Sequence, residues 1–507
     1  MRRFWNIVAG HAPALLAAFV AVCVAVLAVW WGALNQDEGW YLYAARLVGD
    51  GQLPYRDFFF TQGPVLPFLY SAMPIHGLLS GRLVTAGISL VATLMAMVFA
   101  RGLVQPNRRG AVGLTVFALL ACNLYHAYFT AIPKTYAVGA LFVMGGFLLL
   151  SRGWNFLAAM SFAFASGTRI SLVLLLGVVG VWLLITRFRR LDWLWFGIGG
   201  VLGLFLVYGL FAFDERSLNG LLAAQSYHAG RGGFDAFFAV GSVSRLARGY
   251  LALGAVMFAA ICFRAIRRTA AETSPIPYAR DLMWMAGLGF AAVFMLQMCA
   301  PFPYDDYAVP IMPILAVLIS VWFVNGASEM PNAVRWFPVL VSGMCAFASP
   351  LMQDWMTNGQ DRFWPKKKCA SELSQIRSVA KTMEALDPGG AMLLTQDLYI
   401  AVEMGRKVPH GLEMGPFSYF PDLSTEDASA IHVMNGELME KLLKSAPCRL
   451  AAVSGYGFAI ESPKGTEAPK DSQRRYLNLL EEKYGNVLRI DDFGQNHTTL
   501  RVFRRKP

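Results

Sequence analysis

Apolar stretches long enough to cross a lipid bilayer recur along most of this chain. A helix needs roughly 20 residues to span a hydrocarbon layer about 30 Å thick. We place such stretches near residues 13–34, 82–103, 111–130, 135–151, 154–169, 170–186, 193–213, 246–264, 282–300, 308–325 and 335–352. The stretches 154–169 and 170–186 form either an interrupted pair of helices or one long helix with a re-entrant piece. A hydrophobic content of 56% with 15% charged residues is unusual for a soluble protein. The sequence therefore predicts an α-helical polytopic membrane protein of about 11 spans.

The composition changes after the last apolar stretch, and this change predicts two domains. Residues 1–352 form the transmembrane body, and residues 353–507 contain no stretch that spans a bilayer. In the second part, "SELSQIRSVAKTMEALDPGG" and "ELMEKLLKSA" are typical of helices, "AMLLTQD" and "RLAAVSG" of buried strands, and "NVLRIDDF" with "TTLRVFRR" of a closing hairpin. This pattern predicts a small soluble α/β domain.

The distribution of charge predicts the orientation of the chain. The formal net charge is +11, and the basic residues form short clusters between apolar stretches. Topology explains such clusters because cytoplasmic loops are enriched in Lys and Arg, so we reject nucleic acid as a partner. The rule places the N-terminus in the cytoplasm and the C-terminal domain in the periplasm or another extracytoplasmic space. We expect a multi-pass protein of the plasma membrane, in a bacterium the inner membrane, with an uncleaved first span.

The sequence shows no spacing that is typical of a metal site. Its seven cysteines occur singly, without a CxxC pair. Cys369 and Cys448 can pair in an oxidising compartment, but we favour the interpretation that they are two unrelated buried thiols. Asp305 and Asp306 can hold a divalent ion, but isolated pairs of this kind are usually solvated. We expect no obligatory metal and no cofactor.

The segment after the first span is an ordered motif rather than a simple loop. It reads "DEGWYLYAARLVGDGQLPYRDFFFTQGPV" over residues 37–65, and "WYLYAARLV" within it predicts an interfacial helix. The overlapping stretch "GPVLPFLYSAMPIHGLLS", residues 63–80, predicts a second interfacial helix broken by Pro67 and Pro74. This segment resembles the first extracytoplasmic loop of the GT-C superfamily of membrane glycosyltransferases, in the branch related to protein mannosyltransferases and the lipid A aminoarabinose transferase. The stretch "PFPYDDYAVPIMPILAVLIS", residues 301–320, resembles the same family.

The resemblance implies transfer of a sugar from a polyprenyl phosphate donor to a hydroxyl acceptor, with inversion at the anomeric carbon. The acceptor is a glycan, a lipid or a protein. Asp37 stands at the family's position for the base that removes the acceptor proton, and Glu38 can take this role or bind acceptor hydroxyls. A different interpretation is that both carboxylates only cap the helix that follows them. Further acceptor or sugar contacts are predicted at these residues: Tyr55, Asp57, Tyr304, Asp305 and Asp306.

A departing polyprenyl phosphate requires cations near the outer membrane surface. Candidates for binding this donor phosphate are Lys134, Arg169, Arg56, Arg82 and Arg231. Lys134 departs from the family pattern, in which many relatives have a second catalytic carboxylate at the equivalent position. Arg169 lies in an apolar stretch, where it either binds phosphate or extends to the membrane surface.

Two other classes of function stay open at this point. A transporter or flippase of lipid-linked sugars requires polar or broken helices near the middle of the membrane. A membrane receptor with a ligand-binding tail leaves the ordered first loop unexplained. We favour the glycosyltransferase because the charged residues gather near the outer ends of the predicted spans.

Overall fold

The computed structural model describes residues 2–229, 232–267, 278–327, 331–358, 366–495 and 497–507. The chain forms two compact units. The first, which we call the body unit, comprises Met1–Trp30, Thr85–Val207 and Phe234–Lys368. The second, the loop–tail unit, comprises Trp31–Val84, Tyr208–Gly233 and Cys369–Pro507. The predicted division after residue 352 cuts the chain once, whereas each unit combines segments that are distant in sequence.

Helices form most of the described chain. Up to residue 356 they are α1 (Arg2–Trp30), α2 (Gln36–Gly49), α3 (Val65–Ser71), α4 (Leu78–Gly102), α5 (Arg109–Ala121), α6 (Leu124–Ala131), α7 (Thr135–Ser151), α8 (Asn155–Ser166), α9 (Leu174–Arg187), α10 (Asp192–Ala212), α11 (Glu215–Ala229), α12 (Ala236–Gly249), α13 (Leu251–Arg267), α14 (Ala279–Met298), α15 (Met312–Gly326), α16 (Pro331–Phe347) and α17 (Pro350–Met356). The remaining helices are α18 (Glu372–Leu386), α19 (Leu398–Glu403), α20 (Thr425–Ala430), α21 (Gly436–Ser445) and α22 (Lys470–Lys483).

The apolar helices identify a multi-pass membrane protein. In the described residues, six helices are long and apolar enough to cross a membrane, or up to nine if each of three bent helix pairs is one span. Two predicted spans correspond to the shorter apolar helices α7 and α8, of 17 and 12 residues. The count of about 11 spans stays a prediction.

The helices that follow α7 resolve one alternative left open by the sequence. The 154–186 block is an interrupted pair, because α8 ends at Ser166 and a 3-10 turn over Ile170–Val173 leads into α9. Arg169 lies in the break, with extended backbone angles (φ −145°, ψ 121°). The break therefore places a charged residue where the helical backbone is interrupted.

Close packing of apolar side chains forms the core of the body unit. Helices α7 and α8 are joined by a short turn and pack side by side. A Cβ atom at Gly146 would lie 2.4 Å from the Phe162 ring, so only glycine allows this approach. Small residues at helix contacts are typical of membrane proteins because they let backbones pack closely.

The first loop folds mainly as two helices of the loop–tail unit. The predicted helix over "WYLYAARLV" is confirmed as part of α2, which packs against α3 and α19 and buries most of its side chains. The second predicted helix begins at Val65 and is not broken at Pro67, because proline is tolerated in the first turn of a helix. It ends at Ser71, before Pro74.

The tail contains a small mixed sheet, as the sequence predicts. Its strands are β3 (Leu393–Thr395), β4 (Leu450–Val453), β7 (Tyr484–Phe493) and β8 (Thr498–Arg505), and two short pairs are formed by β1 (Thr357–Asn358) with β2 (Lys366–Lys367) and β5 (Ile460–Glu461) with β6 (Thr466–Glu467). The sheet order is β3-β4-β8-β7, with β3 parallel to β4 and the other pairs antiparallel. The predicted hairpin is β7 and β8. The pattern analysis missed α22, in which Tyr476 and Leu480 are buried one turn apart.

The cysteines of the described chain are all free thiols. Cys448 is buried, and burial raises its pKa to about 11. Cys369 is exposed, so the interpretation of both tail cysteines as buried thiols is wrong for this one. Cys369 lies three residues before the first residue of α18, outside the helix.

Candidate functional site

The two neighbouring carboxylates of the first loop have different surroundings. Glu38 is fully buried and receives two charge-assisted hydrogen bonds from Arg82, from Nη2 to Oε1 at 2.6 Å and from Nε to Oε2 at 2.7 Å. The same guanidinium donates to the carbonyl oxygens of Gly32 and Ala33, both at 2.9 Å. Arg82 therefore binds the first turn of α2 and the segment just before it. Its role in binding a donor phosphate stays a prediction. Glu38 acts as its counter-ion.

Glu38 also closes the N-terminus of α2. The Asn35 backbone N–H donates to Glu38 Oε1 at 3.0 Å, and the Asn35 side chain accepts from the Asp37 backbone N–H at 3.0 Å. This reciprocal arrangement is a capping box, which satisfies backbone donors that the helix leaves without partners. The capping interpretation of the acidic pair thus describes Glu38.

Asp37 is half-buried and is the more accessible carboxylate of the two. Its Oδ1 accepts a hydrogen bond from the indole Nε1–H of Trp40 at 3.1 Å. Successive residues of a helix point about 100° apart, so the two carboxylates face different directions. Of the pair, Asp37 is the one whose position suits exchange of a proton with another molecule.

The other predicted residues of the first loop that the structure describes form hydrogen bonds or ion pairs within the loop itself. Arg56 Nη2 pairs with Asp57 Oδ2 at 2.9 Å, and the Leu53 backbone N–H donates to the same oxygen at 2.8 Å. Burial alone raises the pKa of Asp57, but the hydrogen bonds and charge of Arg56 outweigh it and hold that pKa below the usual value. Tyr55 is buried, and its hydroxyl donates to the Gln62 carbonyl. Arg231 lies outside the described residues.

Two histidines of the tail form a hydrogen-bonded chain with the first loop. His410 Nδ1 lies 2.9 Å from Glu413 Oε1, His410 Nε2 lies 3.0 Å from His432 Nδ1, and His432 Nε2 lies 2.7 Å from the Arg56 carbonyl oxygen. A carboxylate and a carbonyl only accept, so His410 Nδ1 and His432 Nε2 both carry protons. The central bond needs one more proton. All three hydrogen bonds have a proton when the two rings together carry one positive charge, which we place on His410.

The pKa shifts of the two rings agree with this assignment. The hydrogen bond to Glu413 raises the pKa of His410 against the opposing effect of burial, helped by the charges of Glu413 and Asp57. Burial lowers the pKa of His432, and the His410 charge lowers it further, against the Arg56 carbonyl, Glu413 and Asp57. Sequence analysis missed this pair because its members are 22 residues apart.

We expect the stability of the loop–tail unit to have opposite pH dependences at the two rings. The His410 contribution is complete below the ordinary histidine pKa of about 6.5 and is lost as pH rises through its raised pKa. The His432 contribution is complete above about 6.5 and is lost as pH falls through its lowered pKa. Melting temperatures of His410→Gln and His432→Gln, measured from pH 5 to 9, test this.

The control is His76→Gln, at an exposed position of the same unit. His410→Gln should differ most from wild type at low pH, and His432→Gln most at high pH. Parallel pH curves for all three variants and wild type would show that the histidine chain does not link protonation to stability.

In the body unit, Asp305 and Asp306 are paired with cations. Lys134 Nζ donates to Asp306 Oδ2 at 3.0 Å, and Arg245 Nε donates to Asp305 Oδ1 at 3.0 Å. The interpretation of these aspartates as a solvated pair is therefore wrong. Lys134 stands at the N-terminus of α7, and Arg245 lies within α12. Their position at the start of a 3-10 helix, Asp305–Ile311, brings them to these cations.

Tyrosines complete the surroundings of this cluster. Tyr136 hydroxyl donates to Asp306 at 2.8 Å, and Tyr125 hydroxyl donates to Asp305 at 2.6 Å. Arg169 lies with its guanidinium carbon 5.2 Å from the Tyr136 ring centroid and 4.5 Å from that of Tyr307. We call Lys134, Arg169, Arg245, Asp305 and Asp306 the cation cluster; its three cations and two carboxylates leave a net charge of +1.

The cation cluster unites predicted residues with others that the sequence did not indicate. Lys134, Arg169 and both aspartates were predicted, and Tyr304 lies at its edge with its ring 5.6 Å from Tyr307. Arg245 was missed because it lies on an amphipathic helix, α12, and looks like an ordinary surface residue there. Among the residues that the structure describes, no group of three or more His, Cys, Asp or Glu side chains could hold a metal ion. The expected lack of a metal requirement stays a prediction.

Comparison with known proteins shows which solved structures this architecture resembles. No protein-family model matches the sequence, and no curated protein matches it. The structure is similar to that of ArnT from Cupriavidus metallidurans bound to undecaprenyl phosphate, with a TM-score of 0.63, 14% identity, and coverage of 97% of this chain and 98% of that chain. The apo structure of the same protein gives a TM-score of 0.62 at 14% identity, with the same coverage. This likeness shows that the chain has the fold of ArnT.

Proposed function

We propose that this protein is an integral-membrane glycosyltransferase that moves a sugar from a polyprenyl phosphate to a hydroxyl acceptor, with inversion, on the extracytoplasmic face of a bacterial inner membrane. The observation that carries the proposal is the cation cluster of the body unit. Charged side chains are costly in a membrane body unless they serve a ligand, a cavity or a counter-ion. This cluster holds more cations than carboxylates.

The cluster has the chemistry that a phosphate group requires. A guanidinium is a planar fork of donors that matches phosphate oxygens, and an ammonium supplies a compact charge. Arg169 lies against two tyrosine rings, which restrict its orientation without neutralising its charge. Lys134 has Asp306 as counter-ion, which keeps the ammonium charged in an apolar environment. The structural neighbour ArnT was crystallised with undecaprenyl phosphate, which supports a donor of this class.

The acceptor side of the reaction is assigned to the first loop. The acceptor oxygen attacks the anomeric carbon as the bond from that carbon to the phosphate oxygen breaks. Asp37 takes the hydroxyl proton, and the electron pair of the broken bond stays on the polyprenyl phosphate. A single displacement of this kind inverts the anomeric centre. The products are a glycoside and a free polyprenyl phosphate, whose charge Lys134 and Arg169 stabilise.

The break between α8 and α9 also fits a transporter of lipid-linked sugars, because broken helices with charged residues are typical of transport sites. The two functions differ in their chemistry. A transferase cleaves the bond between sugar and phosphate, whereas a flippase moves the intact lipid across the bilayer. Product analysis therefore separates them.

We expect Arg169→Met to raise the KM for the donor by about 10- to 100-fold, because a charge-assisted hydrogen bond to phosphate contributes roughly 1.5–3 kcal/mol. The purified protein is placed in liposomes that contain sugar-bearing polyprenyl phosphates and envelope glycolipids. Both lipids are extracted from the cells that produce the protein. Mass spectrometry then follows free polyprenyl phosphate and the glycosylated product.

The control is Arg189→Met, which removes an exposed arginine of the body unit outside the cation cluster. Its donor KM should equal that of wild type. If the sugar-bearing lipid crosses the bilayer without cleavage, the flippase assignment would replace the transferase assignment. Equal donor KM values for Arg169→Met and Arg189→Met would remove Arg169 from donor binding.

A further inference from the structure

The two parallel strands of the tail sheet end at the same edge, and each is followed by a polar residue. Asp397 comes two residues after β3, and Ser454 comes directly after β4. Parallel pairing brings both side chains together, with Ser454 Oγ donating to Asp397 Oδ1 at 2.8 Å and the Ser454 backbone N–H donating to Oδ2 at 3.2 Å. Asp397 also precedes α19, the helix on which α2 packs.

Asp397 is a fully buried carboxylate that is held by neutral donors. Besides Ser454, the hydroxyl of Tyr399 donates to Oδ1 at 3.0 Å, and Gln36 Nε2 donates to the same oxygen at 3.2 Å. In the described residues no Lys or Arg forms an ion pair with it. Burial raises the pKa of Asp397, although these hydrogen bonds oppose the shift. A group of this kind is costly in a protein interior unless its donors are held in fixed positions.

Gln36 connects this carboxylate to the first turn of α2. It immediately precedes Asp37, and its side chain also donates to the Tyr399 hydroxyl at 3.3 Å. Its backbone N–H donates to Gln495 Oε1 at 2.9 Å. The residue is 5% exposed. Three hydrogen bonds thus tie the residue before Asp37 to the tail.

Backbone packing at Gly39 restricts the same turn. A Cβ atom at this position would lie 2.4 Å from the Tyr399 backbone nitrogen and 2.9 Å from the Leu398 carbonyl carbon. Only glycine lets α2 approach the start of α19 so closely. The first turn of α2 therefore rests on the segment that carries Asp397.

We propose that Asp397 is a positioning residue, which orients the first turn of α2 and with it the Asp37 carboxylate through the side chain of Gln36. The inference rests on the proposed function in one respect, the role of Asp37 as base. It assigns to the tail an indirect part in the reaction: the Asp397 carboxylate fixes the position of the residue that accepts the proton. A general base must lie within hydrogen-bond reach of its proton, so a small displacement lowers the rate strongly.

The test uses Gln36→Met, which breaks the link and leaves the bonds of Asp397 to Ser454 and Tyr399 in place. We expect kcat for sugar transfer to fall by about 10- to 100-fold while the donor KM is unchanged. Added to Asp37→Asn, the same change should lower kcat no further, because Gln36 acts only through Asp37. Ser454→Ala is the matched control, since it removes one donor to the same Asp397 oxygen from the tail side. It should lower the melting temperature and leave kcat near the wild-type value.

Hydrogen exchange of the full-length protein separates this inference from the proposed function. In Gln36→Met the backbone amides of Asp37 and Glu38 should exchange faster than in wild type, and in Ser454→Ala they should not. Unchanged exchange in Gln36→Met would overturn the positioning role, whatever the reaction is. Equal losses of kcat in Gln36→Met and Ser454→Ala would overturn it as well, since the network would then serve stability alone. Faster exchange in Gln36→Met together with full activity of Asp37→Asn would support the role of Gln36 in holding α2. The same result would exclude Asp37 as the base.

Discussion

Asp37→Asn should reduce kcat for sugar transfer by about 10²- to 10⁴-fold, the range that a general base contributes. Asparagine keeps the size of the side chain and can still accept a hydrogen bond from Trp40, so α2 should fold normally. The donor KM should change little, because the carboxylate is assigned to the acceptor proton and not to the phosphate. The liposome assay with mass-spectrometric detection measures both constants.

Asp50→Asn is the matched control for this experiment. Asp50 follows the last turn of α2 and pairs with Lys407 at 2.9 Å, at an exposed position. Its loss should leave kcat within about twofold of wild type, as expected for an exposed ion pair with little energetic weight. Full activity of Asp37→Asn at normal expression would refute the assignment of the base, and equal losses in both variants would show a general sensitivity of α2 to its charges.

Arg82→Met should lower the free energy of unfolding by about 3–5 kcal/mol, the usual effect of removing one partner of a buried ion pair. The Glu38 carboxylate is then left fully buried without a cation, and the carbonyl oxygens of Gly32 and Ala33 lose their donor. Thermal unfolding of the detergent-solubilised protein measures the effect as a lower melting temperature.

The double variant Glu38→Gln with Arg82→Met tests the cause of this loss. It removes both charges, so a large part of the stability should return, because replacing a buried pair by neutral groups is often close to neutral. The exposed pair Lys464 and Asp422, at 3.2 Å, supplies the comparison, and Lys464→Met should change the melting temperature very little. A double variant as unstable as Arg82→Met alone would show that shape, and not charge pairing, determines the stability of this site.

Local patterns in the sequence predicted the features that depend on neighbouring residues. The apolar periodicity after Asp37 predicted α2, and the strand-like stretches "NVLRIDDF" and "TTLRVFRR" predicted the final hairpin. The acidic pair was correctly placed at a helix start, but its division into two roles was not predictable. Glu38 meets Arg82 across 44 residues of sequence, and no local pattern reports such a pairing.

The same reason explains what was missed in the cation cluster and in the tail. Asp305 and Asp306 looked solvated because their cations, Arg245 and Lys134, come from helices 60 and 172 residues away. Asp397 looked like an ordinary polar residue after a strand, since its partner Gln36 is 361 residues distant. Long-range polar contacts in a membrane protein are set by the packing of whole segments, which a single sequence does not display.

The order of strands in the tail sheet determines when the tail can complete its fold during synthesis. β8 lies between β4 and β7, so the sheet is incomplete until residues 498–505 have been made. Gln36 and Gly39, by contrast, are made among the first residues, and the Asp397 partner of Gln36 is made 361 residues later. A nascent or truncated chain therefore lacks the tail residues that bind Gln36 and pack against Gly39.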